Sequence, residues 1–464
     1  MDYKPKAVTV EREGIINEIR TNLDAKRYGN KFCITQELIQ NADDAKAERL
    51  LIGYGLLPST TSLHPLLKED GIFFVNDGKL TADDLNHLFK VATSNKSSDK
   101  DKIGHFGLGM KSVFHLCEAF FLFFEQPENR SQFDADVMFL DPWYDNVEPE
   151  VTPPSRINWQ DEYTAHGDAI SKVVHAYLAP WVKDWPRWFC VWLPLRKRWM
   201  NSEACPPIKT GCWSRTDVEE LFSESLSPVI AEMLPFLKHL RQISLIDAME
   251  NNVIDTISVF AERRLQMKSG TIDMRLEHRS ESIPSVQVIG NEKLFEQDQF
   301  KDMMDDPDWP LSAKCDKNGN FLKEKVTPHA ALFWGKSEVD HGMTTSFSVK
   351  HCVFLPLTSD KQKCIIPIDL PFNLALCFHA TLFVDAGRQD FTASNDENAS
   401  IQNRWNARLL SNGLLPMVIP SFEREVSAWE NQQHITKVVG AINNYLDKHD
   451  EEQLELNYRN SITR

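Results

Sequence analysis

The sequence predicts an α/β protein: an α/β domain over residues 1–200, a second α/β domain over 201–395, and a helical segment over 396–464. Three observations predict it. A helical pattern at 31–51 gives way to short apolar runs of strand type at Leu50–Gly55 and Gly71–Val75. Short apolar runs recur at Cys352–Leu357, Cys364–Leu370 and Ala380–Val384. From Asp396 onward the periodicity is helical and the end is densely charged. At 464 residues the chain exceeds one ordinary domain, so two or three cores are expected.

Composition removes several function classes. Hydrophobic content of 42% with 25% charged residues is that of a globular chain with a sizeable core. No segment approaches the ~18 uninterrupted apolar residues of a membrane span, and Met1–Glu13 is polar and charged, unlike a secretory signal. A cytoplasmic address is the expectation, with no membrane partner. A net charge of −16 opposes coating of nucleic acid, so DNA or RNA is expected only through a partner. Arg196-Lys197-Arg198 is a short basic run, read here as a solvated strand end. Nine scattered cysteines form no C-x-x-C pair, and even the spacing of Cys205 and Cys212 fits reduced thiols better than zinc or disulfides.

In chain order, Gly14–Asn22 and 31–51 read as helices, the second carrying Phe32, Leu38, Ile39, Ala42 and Ala45 near helical spacing. Gly71–Val75 is a strand ending in the turn Asn76-Asp77-Gly78. Thr81 offers a helix N-cap before an apolar stretch to Val91. The small polar segment 92–102 suits a surface loop, followed by the glycine-rich stretch Gly104–Gly109 and apolar residues to Phe124. Pro149–Ser155 reads as a loop, and Phe189–Leu195 as a buried strand closed by Arg196. Asp217–Leu240 has a long helical pattern with a strand at Ile243–Ile246, and Asn318-Gly319 is a hairpin-turn candidate in a polar stretch.

Three sets of residues carry chemistry. Glu37, Asn41 and Asp44 stand at i, i+4 and i+7, on one face of one helix. An amide oxygen there can enter an octahedral Mg²⁺ shell, and a carboxylate one turn away can orient and deprotonate a water. Alone, this pattern also arises on solvated helix faces. Asp77, fixed at a strand end before Gly78, can accept a hydrogen bond from an exocyclic amine, or can simply form the turn. Gly104-His105-Phe106-Gly107-Leu108-Gly109 places three glycines in six residues, letting backbone approach phosphate oxygens, with Met110 and Lys111 just beyond. Its G-x-x-G-x-G order reverses the dinucleotide fingerprint, and the extra Met110 breaks the Walker pattern.

Taken together and in this order, these segments resemble the GHKL superfamily of ATPases, and within it the sacsin domain and the ninety-kilodalton heat-shock chaperone. Gln36–Ala45 is similar to their N-box, and Ile103–Val113 to the glycine motif at the end of their lid. Val75–Gly78, Ser94–Lys96, Leu193–Arg196, Leu234–Lys238, Gly387–Gln389 and Trp405-Asn406 with Leu409-Leu410 extend the resemblance. It implies a two-layer α/β sandwich of the Bergerat type, followed by a middle or transducer-like domain. It further implies Mg²⁺-dependent ATP binding and slow hydrolysis that drives lid closure and domain rearrangement. Position by position, the implied roles are Glu37 as general base, Asn41 as Mg²⁺ ligand, Asp44 near the nucleotide and Asp77 on adenine. Gly104, Phe106, Gly107, Leu108, Gly109, Met110 and Lys111 would line the phosphates. Lys96 would lie in a lid near 92–110, and Arg388 would reach the γ-phosphate from the second domain.

Two departures stand out. Asp77-Gly78-Lys79-Leu80-Thr81 lacks the later glycines of D-x-G-x-G, and Phe189 occupies the place of a threonine expected at the adenine site. Other features read as structural: Asp305–Asp308 as a solvated loop, Asp316–Asn320 as a turn, His105 and His115 as packing or capping residues, and Trp181, Trp185, Trp188 and Trp192 as core or helix-face residues. The resemblance implies a protein partner or client, or a second copy of the chain in a homodimer. Chaperone-like work and a part in a multi-protein system, antiviral defence included, both remain open. So do a nucleotide-gated binding module without hydrolysis and a MutL-like DNA-associated ATPase. A GHKL histidine kinase is disfavoured by the presence of Glu37 and the lack of a phospho-accepting histidine helix.

Overall fold

The computed structural model describes residues 16–17, 19–20, 23, 33–59, 64–79, 109–125, 137–140, 159–200, 207–222, 226–261, 270–278, 285–289, 294, 298–310, 328–338, 344–353, 355–357, 364–384, 390–427 and 429–452. They fall into two compact units, one built from described residues within 16–79, 109–222 and 244–254, the other from those within 226–243 and 255–452.

The first unit is a sheet with helices. Its strands are β1 (Arg49–Gly55), β2 (Gly71–Asn76), β3 (Phe120–Glu125), β4 (Val137–Leu140) and β5 (Trp188–Pro194). They lie in the order β1-β2-β5-β3-β4, every neighbouring pair antiparallel. Every residue of β2 is buried. Since successive side chains point to opposite faces, both faces of the sheet are covered at this strand. Beside β1 runs β6 (Gln242–Asp247), of which 244–247 belong to this unit; Tyr54 on β1 donates its hydroxyl to Asp247 at 2.8 Å.

Helix α1 (Cys33–Asp44) precedes β1, and the long α2 (Trp159–Val182) precedes β5. Ile170, Val174, Leu178 and Val182 recur at one-turn spacing on α2. They pack against Leu51, Phe73, Val75, Phe121, Phe123 and Trp192, which alternate along the strands. Helix α1 ends with Lys46 in the left-handed region (φ 60°), Lys46 N donating to Asp43 O at 2.9 Å and Ala47 N to Ala42 O at 3.0 Å. That is a Schellman cap built on lysine instead of glycine. A short 3-10 helix, Gly109–His115, leads into β3 and packs against α1.

Where the sequence suggests one helix over 217–240, the helical run stops at Met233. Helix α3 (Arg215–Glu220) closes the first unit's share, capped by Ser214 and Asp217 in a reciprocal box. Helix α4 (Leu226–Met233) belongs to the second unit and gives way to a 3-10 turn at Leu234–Phe236, where Pro235 cannot donate to the helical ladder.

The second unit orders residues 255–261 of β7 (Asn252–Ala261), then β8 (Gly270–Glu277), β9 (Ser285–Ile289), β10 (Ala330–Glu338), β14 (Phe372–Ala380), β11 (Ser346–Val353) and β12 (Leu355–Pro356), with β13 (Cys364–Pro367) also on β11. The last strand, β14, spans Phe372–Ala380 and is parallel to β11 alone. The strand expected at 380–384 therefore lies earlier, and 381–384 leaves the sheet. Helices α5 (Asp298–Asp305), α6 (Ile401–Arg408), α7 (Leu415–Val426) and α8 (Gln432–Glu452) complete the unit. Trp405 is fully buried, in edge contact with Phe300 at 5.1 Å and Trp309 at 4.9 Å. The helical reading of the C-terminal part agrees with α6–α8. The α/β class agrees throughout, and no described helix is long and apolar enough to cross a membrane.

Candidate nucleotide site

Helix α1 is buried on nearly all sides. Ile34, Leu38, Ile39 and Ala42 are buried, and so are Gln40, Asp43 and Asp44. From Ile34 to Ala45, only Glu37, Asn41 and Ala45 are half-exposed. They are spaced four residues apart, so the accessible part of the helix is one narrow stripe holding a carboxylate and a carboxamide. Asp44, the third residue of the sequence pattern, is turned inward, 5% exposed.

The strand-end aspartate comes to the C-terminal end of the same helix. Lys79 N donates to Ala45 O at 3.1 Å, and Gly78 lies so close to Ala45 that a Cβ there would stand 2.8 Å from Ala45 O. Gly78 is thus a glycine because helix and turn touch. Asn76 Oδ1 accepts from Gly78 N at 3.0 Å, an Asx turn that shapes the bend. The Asp77 carboxylate accepts from Glu48 N at 2.8 Å and Arg49 N at 3.0 Å through Oδ1, and from Arg49 Nε at 2.8 Å through Oδ2. Arg49 stacks over Trp185, 4.7 Å from the ring centre, and Arg187 Nε donates to Asp77 O at 3.2 Å. A carboxylate has about four acceptor directions, so these three donors orient Asp77 and leave one direction. Register places Phe189 opposite Asn76, and its ring is half-buried beside the turn.

The third sequence segment reaches the described structure at its end. Gly109, Met110 and Lys111 open the 3-10 helix that packs on α1. Lys96, Gly104, Phe106, Gly107, Leu108 and Arg388, and the side chains of Met110 and Lys111, lie outside what is described. So do His105, the helix expected from Thr81, the loops at 92–102 and 149–155, and the turn at 318–319.

Behind this 3-10 helix, the basic run proves to be something else. Arg196 is 1% exposed, not a solvated strand end, and forms an ion pair with Glu118, itself 1% exposed. Its guanidinium also donates to the carbonyls of Phe114, of His115 at 3.0 Å and of Cys117 at 3.1 Å. Glu118 Oε2 accepts from Ile208 N at 3.0 Å. Every partner is satisfied, as a buried pair requires; removing one would cost about 3–5 kcal/mol. His115 accepts from Lys209 Nζ through Nδ1 at 2.7 Å. Burial first, then the Lys209 and Arg196 charges, lower its pKa to about 4, so the ring is neutral at pH 7.

The Asp77 turn and the 3-10 helix that begins at Gly109 both pack against α1. Residues 12–256 match the family model of the sacsin domain, more than half of the chain. The chain belongs to the sacsin domain family. Human sacsin is 22% identical to it over 436 residues, covering 88% of this chain and 9% of sacsin. The chain thus spans about a tenth of the length of the relative it matches. Sacsin domains are of the chaperone-like, ATPase-related type, akin to the N-terminal domain of the ninety-kilodalton chaperone. Arg49 and Glu118 were not singled out in the sequence, while Trp185 and Arg196 were singled out in other roles. Only Arg196 had a signal, its place in the Leu-Pro-Leu-Arg quartet. Among the described residues, no cluster of His, Cys, Asp and Glu forms a metal site.

Proposed function

We propose that this sacsin domain binds ATP with Mg²⁺ and hydrolyses it slowly, using Glu37 as general base and Asn41 as the metal ligand. The observation that carries the reading is the α1 stripe: a helix otherwise packed in protein keeps accessible the one carboxylate and the one carboxamide that the chemistry needs. The donor type fits the metal. Mg²⁺ prefers hard oxygen ligands and keeps most of its waters, so a single amide oxygen supported by phosphates is a sufficient protein share. When bound, the ion would neutralise phosphate charge. Glu37 holds and deprotonates the attacking water. Asp77, oriented by the Glu48 and Arg49 amides, has an acceptor direction left for the adenine amine. Backbone of Gly107–Met110 would approach the phosphates. The energy of this cycle would serve a protein client or a second copy of the chain.

Phosphate release separates this reading from that of a nucleotide-gated module that never hydrolyses. Glu37→Ala should retain ATP binding and lose about 10²–10⁴-fold in turnover, the usual share of a general base. Asn41→Ala should lose the Mg²⁺ dependence of ATP affinity. Phosphate release that is equal in wild type and Glu37→Ala would remove hydrolysis from the proposal. Failure of wild type to bind any adenine nucleotide would remove the whole of it.

A further inference from the structure

The Arg196–Glu118 pair has no part in the roles assigned above, yet both of its side chains are buried, at 1% and 0% exposed. Its placement is specific. Strand β5 begins beside Asn76, next to Asp77, through the Phe189 pairing, and ends with Pro194 opposite Gly71. Two residues later Arg196 grasps the far end of the 3-10 helix, taking the carbonyls of Phe114, His115 and Cys117, while Arg196 N donates to Leu116 O at 2.8 Å. These carbonyls lie at and just past the end of the 3-10 helix, and a planar cation with five donors can reach several at once. Trp213 adds a further donor, from Nε1 to His115 O at 3.1 Å. The other side of the same 3-10 helix packs on α1, and its first residue, Gly109, is the last of the glycine segment.

We propose that Arg196, held by Glu118, is a positioning residue that sets where the 3-10 helix Gly109–His115 stands against the helix that carries Glu37 and Asn41. This rests on the ATP reading above. Arg196 does not touch nucleotide; it fixes the turn from behind and so acts on the phosphate end of the ligand, while Asp77, at the opposite end of β5, is held by its own partners. The consequence is a selective one. Loss of the guanidinium fork should weaken binding of ligands that carry phosphates and spare those that do not.

The test compares ATP and adenosine binding, with Mg²⁺ present, in wild type, Arg196→Lys and Glu118→Gln, each checked for folding by circular dichroism. Arg196→Lys keeps the charge but loses the fork, and should bind ATP at least tenfold more weakly, with adenosine affinity within twofold of wild type. Glu118→Gln should shift both affinities in the same way, and the double variant should be no worse than the weaker single one. A folded Arg196→Lys protein that binds ATP as wild type does, or that loses ATP and adenosine equally, overturns the inference. Should the variants not fold, amide exchange in wild type decides: ATP should slow exchange across Ser112–Cys117 more than adenosine does, and equal effects overturn it. Wild type that binds neither ligand overturns the ATP reading itself, a result distinguishable from all of these.

Discussion

At the scale of single residues, the region around α1 depends on ionisable groups taken out of water. His115 shows how this makes stability depend on pH. Its folded pKa of about 4 lies below the ordinary value of 6.5, so the unfolded chain binds a proton in a range where the folded chain does not. Stability from this residue is complete above pH 6.5 and falls as pH drops from 6.5 towards 4. The full difference amounts to about 3 kcal/mol. Thermal melts at pH 7 and pH 4.5 should show a larger loss in wild type than in His115→Gln, which has no proton to bind; equal losses would refute the assignment. Asp77 makes a second case. Asp77→Asn replaces an acceptor facing Arg49 Nε with an amide, so it should cost about 1–3 kcal/mol of stability and also reduce the preference for ATP over GTP. Arg49→Ala should cost stability while keeping that preference. A preference unchanged in Asp77→Asn would remove the aspartate from the adenine site and leave it a tether of β1.

These residues also mark how far the sequence could be read. That Glu37 and Asn41 share a helix and Asp77 a turn was legible because those signals are local: helical spacing in one case, a turn after a buried strand in the other. Arg196 was not, because its partner Glu118 stands 78 positions away and a run of three basic residues looks solvated. The donors that hold Asp77 lie 28 and 29 positions upstream and were hidden for the same reason.

At the scale of elements, strand and helix are fitted to each other by size. Gly53 on β1 pairs with Phe73 on β2, and a Cβ on Gly53 would overlap the Phe73 ring, reaching Cε2 at 2.6 Å and Cε1 at 3.0 Å. That ring cannot retreat: it is fully buried and stacked on Trp192 at 5.2 Å, with 8° between the planes. Gly53→Ala should therefore destabilise the first unit by about 1–3 kcal/mol. Gly440 in α8 meets nothing within 4 Å, and Gly440→Ala should stabilise by about 0.5–1 kcal/mol, since alanine is the better helix former. Urea titration of both variants gives the comparison, and a neutral Gly53→Ala would show that β1 and β2 are not packed as described. Element types were predicted best where the period was clean, as in α1, β1, β2, β5 and α6–α8. The sequence missed α2, whose apolar residues at 170, 174, 178 and 182 are interleaved with Tyr177 and Trp181, and it carried the helix of 217–240 past Met233, a stop that Pro235 alone hints at.

At the scale of the whole molecule, two units each hold their own core, so heating is expected to report on each of them. The α1 stripe, the Asp77 turn and the Arg196 clamp all lie in the first. A ligand that binds only the folded form stabilises by RT ln(1 + [L]/Kd), about 2.7 kcal/mol at a hundredfold excess over Kd. For a unit of roughly 200 residues, that raises the melting temperature by about 5–10 °C. Calorimetry with ATP and Mg²⁺ should therefore move the transition of the first unit by this amount. Glu37→Ala should keep the shift, because a general base acts on turnover and not on ground-state binding. Asn41→Ala should lose the part that depends on Mg²⁺, and chelation of the metal should do the same to wild type. A thermogram indifferent to ATP at millimolar concentration would argue that the stripe on α1, however well suited in chemistry, does not hold a nucleotide. A shift that survives in Asn41→Ala with full Mg²⁺ dependence would move the metal to another ligand while leaving the nucleotide in place.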